Sequence, residues 1–115
     1  VVEDDLAVAG TTEAMLRRLG YSVITTANAG EALARASTSP VDLLLADVVL
    51  PGTNGRDLAE MLKKDRPDLR VVLMSAYSGE VLTEHCPSVT HTEILAKPFT
   101  VDELARRLAA ELRSA

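Results

Sequence analysis

A chain of 115 residues sits at the usual size of one domain and can bury a core without disulfides or a structural metal. With 47% hydrophobic and 25% charged residues it has the balance of an ordinary globular domain, which excludes a disordered segment, and its apolar runs are too short to span a bilayer. The net charge of −5 excludes the basic footprint of nonspecific nucleic-acid binding, while a lone Cys86 excludes an internal disulfide and fits a reducing, cytoplasmic setting.

In chain order, Val1–Val2 is a first short apolar run, expected to be a strand cut short at its start, since a chain without an initial Met or a visible signal peptide reads as a piece of something longer. Leu6 to Leu19 carries Val8, Thr12, Met15, Leu16 and Leu19 on one helical stripe and stops at Gly20, with Gly10 and two threonines weakening its first half. Val23–Ile24 is the second run. Asn28, with Glu31 three residues on, caps a short helix that buries Ala32, Leu33 and Ala36. Leu43 to Ala46 is the third run, and a helix from Gly55 to about Lys64 places Leu58, Met61 and Leu62 together before Pro67 ends it.

Val71 to Met74 is the fourth run, Ser78 to Glu93 reads as loop-rich, and Ile94 to Ala96 is the fifth run. Thr100 and Glu103 form a capping box for a last helix whose Val101, Leu104, Ala105, Leu108 and Leu112 share a face. Continuous apolar runs that alternate with helices describe strands buried on both faces. The expected fold is therefore α/β, a doubly wound five-stranded parallel sheet with helices on both sides, and a single domain over residues 1–115.

In such a sheet everything that follows a strand gathers at one edge, where ligands bind. Glu3, Asp4 and Asp5 follow the first run, Asp47 the third, Ser75 the fourth and Lys97 the fifth. With the second strand at the edge and the first beside the third, Glu3, Asp4 and Asp47 share one pocket. Carboxylates so close need a cation, and an all-oxygen site suits Mg²⁺. A hydroxyl and an ammonium opposite them complete the parts for phosphoryl transfer: Asp47 as nucleophile and metal ligand with Asp4, Glu3 acting through a metal-bound water, and Lys97 and Ser75 each taking a phosphoryl oxygen.

Each residue also has a plainer reading. Glu3 and Asp4 can be solvated charges near a helix N-terminus, Lys97 an ion-pair partner and Ser75 a strand-end cap. Pro51, Gly52, Asn54 and Gly55 are turn residues, for which that role suffices. His85, Cys86 and His91 make a poor zinc site.

Four segments, VVEDD at 1–5, LLLADVVLPGTNG at 43–55, VVLMSAY at 71–77 and ILAKPF at 94–99, together resemble the receiver domains of two-component response regulators over nearly the whole chain. The resemblance implies a flavodoxin-like sheet of strand order 2-1-3-4-5, Glu3 and Asp4 as the acidic pair, Asp47 as phosphoacceptor, Ser75 as the hydroxyl and Lys97 as the lysine of the site. It further implies the backbone carbonyl of Val49 as a metal ligand, a cis bond between Lys97 and Pro98, and Ala76 as a small residue that gives access. The implied donor is a phosphohistidine on a histidine kinase or a histidine phosphotransfer domain, with Mg²⁺ as cofactor, no membrane or direct nucleic-acid contact, and no enzymatic activity beyond the domain's own phosphorylation and dephosphorylation. PVDLLLADVVLPGTNGRDLAE, LMSAY and ILAKPFT most resemble receivers at the C-terminal end of hybrid sensor histidine kinases.

Two departures carry expectations. Ile94 stands where many receivers have a Tyr or Phe switch, so readout cannot take that form, and Tyr77 is the remaining reporter. Apolar Val49 and Tyr77 beside the site are expected to slow phosphoaspartate hydrolysis. The competing function is a phosphorylation-independent protein-binding module on the same fold. A haloacid-dehalogenase type phosphatase would need an aspartate at position 49, and a dinucleotide-binding domain would need a Gly-rich turn that EDDLAVAG lacks.

Overall fold

The structure is a computed structural model that describes residues 1–76 and 94–113. Among these the elements run α1 (Leu6–Arg18), α2 (Ala29–Thr38), β1 (Leu43–Asp47), β2 (Val49–Leu50), β3 (Thr53–Asn54), α3 (Gly55–Asp65), β4 (Arg70–Ser75), β5 (Ile94–Ala96) and α4 (Val101–Arg113). The expectations for Tyr77, for the 78–93 stretch and for His85, Cys86 and His91 fall outside the described residues.

Each helix starts where a side chain can accept the orphan amides of its first turn. The Asp5 carboxylate accepts from Ala7 and Val8 at 3.0 and 3.2 Å, and Asn28 accepts from the Glu31 amide at 2.9 Å. The Asn54 side chain accepts from the Asp57 amide at 2.8 Å. The expected capping box closes between Glu103 and Thr100 in both directions at 3.1 and 3.2 Å, while Glu31 accepts from the amide of Ala27, one residue before the Asn28 cap, at 2.9 Å. Two expected core residues face outward, Met61 at 39% and Leu112 at 41% exposure. In α3 the buried residues are Gly55, Leu58, Ala59 and Leu62, a stripe of three- and four-residue steps that leaves Met61 at its margin.

The parallel sheet has the order β1-β4-β5, with Leu43 to Asp47 paired to Arg70 to Met74, and Leu73 to Ser75 paired to Ile94 to Ala96. The first two apolar runs do not become strands. Val2 makes one parallel bridge to Ala46 and one to Thr26, so the opening segment lies between the 24–26 segment and β1, the neighbours expected for it. Its hydrogen bonds run from the Val2 amide to Leu45 O at 2.9 Å, from the Asp47 amide to Val2 O at 3.1 Å and from the Glu3 amide to Thr26 O at 3.0 Å. A two-residue run that turns at once toward the Asp5 cap has room for a bridge on each side but not for a ladder.

The sheet separates two apolar clusters. On one side Leu44, Ala46, Leu58 and Leu62 pack with residues of α2 and α3, and on the other Leu45, Val72, Met74, Phe99, Leu104 and Leu108 pack with residues of α1 and α4. The alternation along β1 therefore sends Leu43, Leu45 and, by the same period of two, Asp47 toward the α1 and α4 side. Ile94 packs against the other cluster, pairing with Leu73 at the start of β5. No helix among the described residues is long and apolar enough to cross a membrane.

Candidate phosphoacceptor site

Three chain segments deliver the charged residues to the carboxyl ends of the strands. Glu3 follows the Val2 bridge, Asp47 ends β1, and Lys97 follows β5, its amide tied to Ser75 O at 2.9 Å. One carboxylate oxygen from each of Glu3, Asp4 and Asp47 lies within 4.8 Å of the others. Glu3 and Asp47 are buried, at 1% and 6% exposure, whereas Asp4 faces solvent. Lys97 Nζ stands between the two buried carboxylates, 2.6 Å from Glu3 Oε1 and 2.7 Å from Asp47 Oδ2. The second Asp47 oxygen, Oδ1, accepts from the Val49 amide at 3.1 Å.

The electrostatics follow from this packing. Burial, and then the neighbouring Asp47 carboxylate, push the Glu3 carboxyl up to about 7 against the opposing pull of Lys97. Burial draws the Lys97 ammonium down, but its hydrogen bonds to Asp47 and Glu3 prevail and its pKa lies above the ordinary lysine value.

Glu3 Oε2 is buried without a hydrogen-bond partner among the described residues. An orphaned carboxylate oxygen in a group of three carboxylates is a donor set of hard oxygens with capacity to spare, which fits Mg²⁺. The cleft over these residues has a volume of about 580 Å³ and is walled by Val8, Thr12 and Met15 of α1, by Ala76 and by Phe99.

Glu3, Asp4, Asp47 and Lys97 thus come together as expected. Ser75, at 2% exposure, ends β4 next to cleft-lining Ala76. Val49 lies beside Asp47 in the short antiparallel hairpin of β2 and β3, and its recorded contact with the site is its amide. The Lys97–Pro98 bond is cis, as the resemblance implies.

Reading Gly55 as a turn residue understated it. The residue is buried, and a Cβ there would lie 2.3 Å from the main-chain oxygen of Asp47. A glycine eight residues after Asp47 signals a turn in sequence, and nothing local to it announces contact with the Asp47 peptide.

The family model of the response regulator receiver domain matches residues 1–109. The DNA-binding transcriptional regulator NtrC of Azospirillum brasilense is 37% identical over 114 residues, 99% of this chain and 24% of that protein. The sensor kinase CckA of Brucella abortus is 32% identical over 107 residues, 91% of this chain and 11% of that protein. The chain spans about a quarter of the length of the NtrC relatives and half or less of the others. The identity to this sensor kinase is thus lower than that to the NtrC regulator of Azospirillum brasilense. Among solved structures, the CheY-like response regulator receiver domain protein of Methanospirillum hungatei JF-1 superposes with a TM-score of 0.81 at 28% identity, covering 97% of this chain and 90% of that one. The fold is flavodoxin-like, and the chain belongs to the response regulator receiver family.

Proposed function

We propose that Asp47 accepts a phosphoryl group from a phosphohistidine of a histidine kinase or histidine phosphotransfer domain, and that the resulting phosphoaspartate switches partner contacts. The observation that carries this reading is the Asp47 carboxylate itself, gripped at Oδ1 by the Val49 amide and at Oδ2 by Lys97, in a pocket with an orphaned Glu3 oxygen. A carboxylate oxygen of Asp47 forms the new P–O bond as the P–N bond of the donor breaks. The electron pair leaves with the imidazole nitrogen, which takes a proton from solvent.

Lys97 neutralises charge on one phosphoryl oxygen, and Ser75 donates to another. Glu3, Asp4, Asp47 and the Val49 carbonyl would hold Mg²⁺, which supplies Lewis-acid neutralisation of the phosphoryl oxygens when bound. Residues 1–115 act as one receiver domain and catalyse no reaction beyond their own phosphorylation and its reversal. Half-buried Val49 shields the acyl phosphate from water, so Val49→Asn is expected to speed its decay, and equal or slower decay in a phosphate-release assay would count against shielding.

The test is intact mass of the chain with acetyl phosphate and Mg²⁺, beside Asp47→Asn and a chelator control. Gain of one phosphoryl group, abolished by both controls, is the expected result. No gain from acetyl phosphate or from a phosphorylated kinase, in folded protein, would favour the phosphorylation-independent binding module.

A further inference from the structure

Resting on the reading of Asp47 as phosphoacceptor, we infer that Gly55 is a positioning residue for the transfer, because its missing side chain lets the first turn of α3 lie directly on the Asp47 peptide group. An ideal Cβ at Gly55 would stand 2.3 Å from Asp47 O, 3.1 Å from Asp47 C and 3.2 Å from Leu73 Cδ2. The nearest obstacle is main chain, which cannot rotate aside as the tip of a side chain can. The α3 turn and the Asp47 peptide would have to separate by most of an ångström.

The surrounding backbone leaves little freedom to absorb that movement. The Asp47 amide donates to Val2 O at 3.1 Å, the Val48 amide to Met74 O at 2.9 Å, and the Gly55 amide returns to Val48 O at 2.9 Å. The peptides on either side of the nucleophile are thus tied to the opening segment, to β4 and to α3. Displacing them moves the carboxylate away from the Val49 amide and from Lys97, the two groups that orient its oxygens. Misplacement of a reacting group by about 1 Å costs on the order of a hundredfold in rate.

Backbone conformation is not the reason for glycine at this position. Among the described residues the glycines with positive φ are Gly20 and Gly52, not Gly55, and at the start of a helix alanine is the better helix former. Gly52, in the turn of the same hairpin, presents the opposite case. Its φ is +76°, so a side chain is strained there, but a Cβ would meet nothing within 4 Å.

The experiment measures the maximal rate of phosphoryl gain by intact mass, with acetyl phosphate titrated at saturating Mg²⁺, in the unsubstituted chain, Gly55→Ala and Gly52→Ala, each with its melting temperature. Gly55→Ala is expected to fold, to lose about tenfold or more in maximal rate and to keep its half-saturating acetyl phosphate concentration within about twofold. Gly52→Ala is expected to melt lower yet keep its maximal rate within about twofold. A wild-type rate in folded Gly55→Ala overturns the inference, as do rates in both variants that fall in step with melting temperature. If Gly55→Ala does not fold, Asn54→Ala replaces it, removing the α3 cap and loosening the turn on Asp47. A rate several-fold lower supports the inference, and an unchanged rate overturns it. No phosphoryl gain in the folded unsubstituted chain, from acetyl phosphate or from a phosphorylated histidine kinase, overturns the phosphoacceptor reading itself, and the inference with it.

Discussion

The two ends of the parallel sheet are built on opposite terms. At the amino ends of the strands a cavity of about 520 Å³ is walled mainly by apolar side chains, among them Leu16, Val23, Leu43 and Leu108. At the carboxyl ends the chain buries two carboxylates and brings an ammonium within 3 Å of both. Removing water from apolar groups stabilises the fold, whereas removing it from charges costs several kcal/mol per ion before pairing returns part of that. The charged end is therefore a poor place to look for stability. Its arrangement makes sense through what it can bind and transfer, and the two ends should answer differently to substitution.

The largest expected effect is on rate at the charged end. Lys97→Ala should lower phosphorylation by acetyl phosphate by about a hundredfold or more, as for loss of one preorganised donor to developing charge. Intact-mass kinetics check it, and a rate within about threefold of the unsubstituted chain would break the assignment of Lys97 to the phosphoryl group. Next comes stability in the apolar layer. Leu104 of α4 is fully buried against the sheet, and Leu104→Ala should cost about 2–5 kcal/mol in urea unfolding while the folded fraction keeps its phosphorylation rate. Loss of rate with little loss of stability would blur the division between the ends.

The smallest effect is a pH slope. Glu3 is held up at about 7 in the folded chain against 4.5 as its ordinary value, so between those pH values the folded state binds more protons than the unfolded one. Stability contributed by this group is present below pH 4.5 and is lost as pH rises to about 7. In chelator, the melting temperature should therefore carry a downward contribution across that window, and Glu3→Gln should lack it. An identical profile in Glu3→Gln would assign the slope elsewhere.

Legibility in the sequence followed the range of the interaction. Caps at Asn28 and Thr100 were readable because donor and acceptor are three residues apart, and the acidic pair, Asp47 and Lys97 because each follows a buried run. The first two runs failed as strands because pairing depends on how many residues a neighbour can match, and Val2 matches one on each side. Met61 shared the helical spacing of Leu58, yet the position of α3 on the sheet decided which residues of the stripe turned inward.

By itself the sequence determined the α/β class, the helix starts and the candidate residues of the site, since these rest on local periodicity, capping and order along the chain. Tertiary structure alone decided that Lys97 pairs with both Glu3 and Asp47, that one Glu3 oxygen finds no hydrogen-bond partner among the described residues, and that Gly55 lies against the Asp47 peptide. The physical reason is that hydrogen bonds and close contacts depend on distances of a few tenths of an ångström between segments as many as 94 residues apart, and no local pattern encodes such distances.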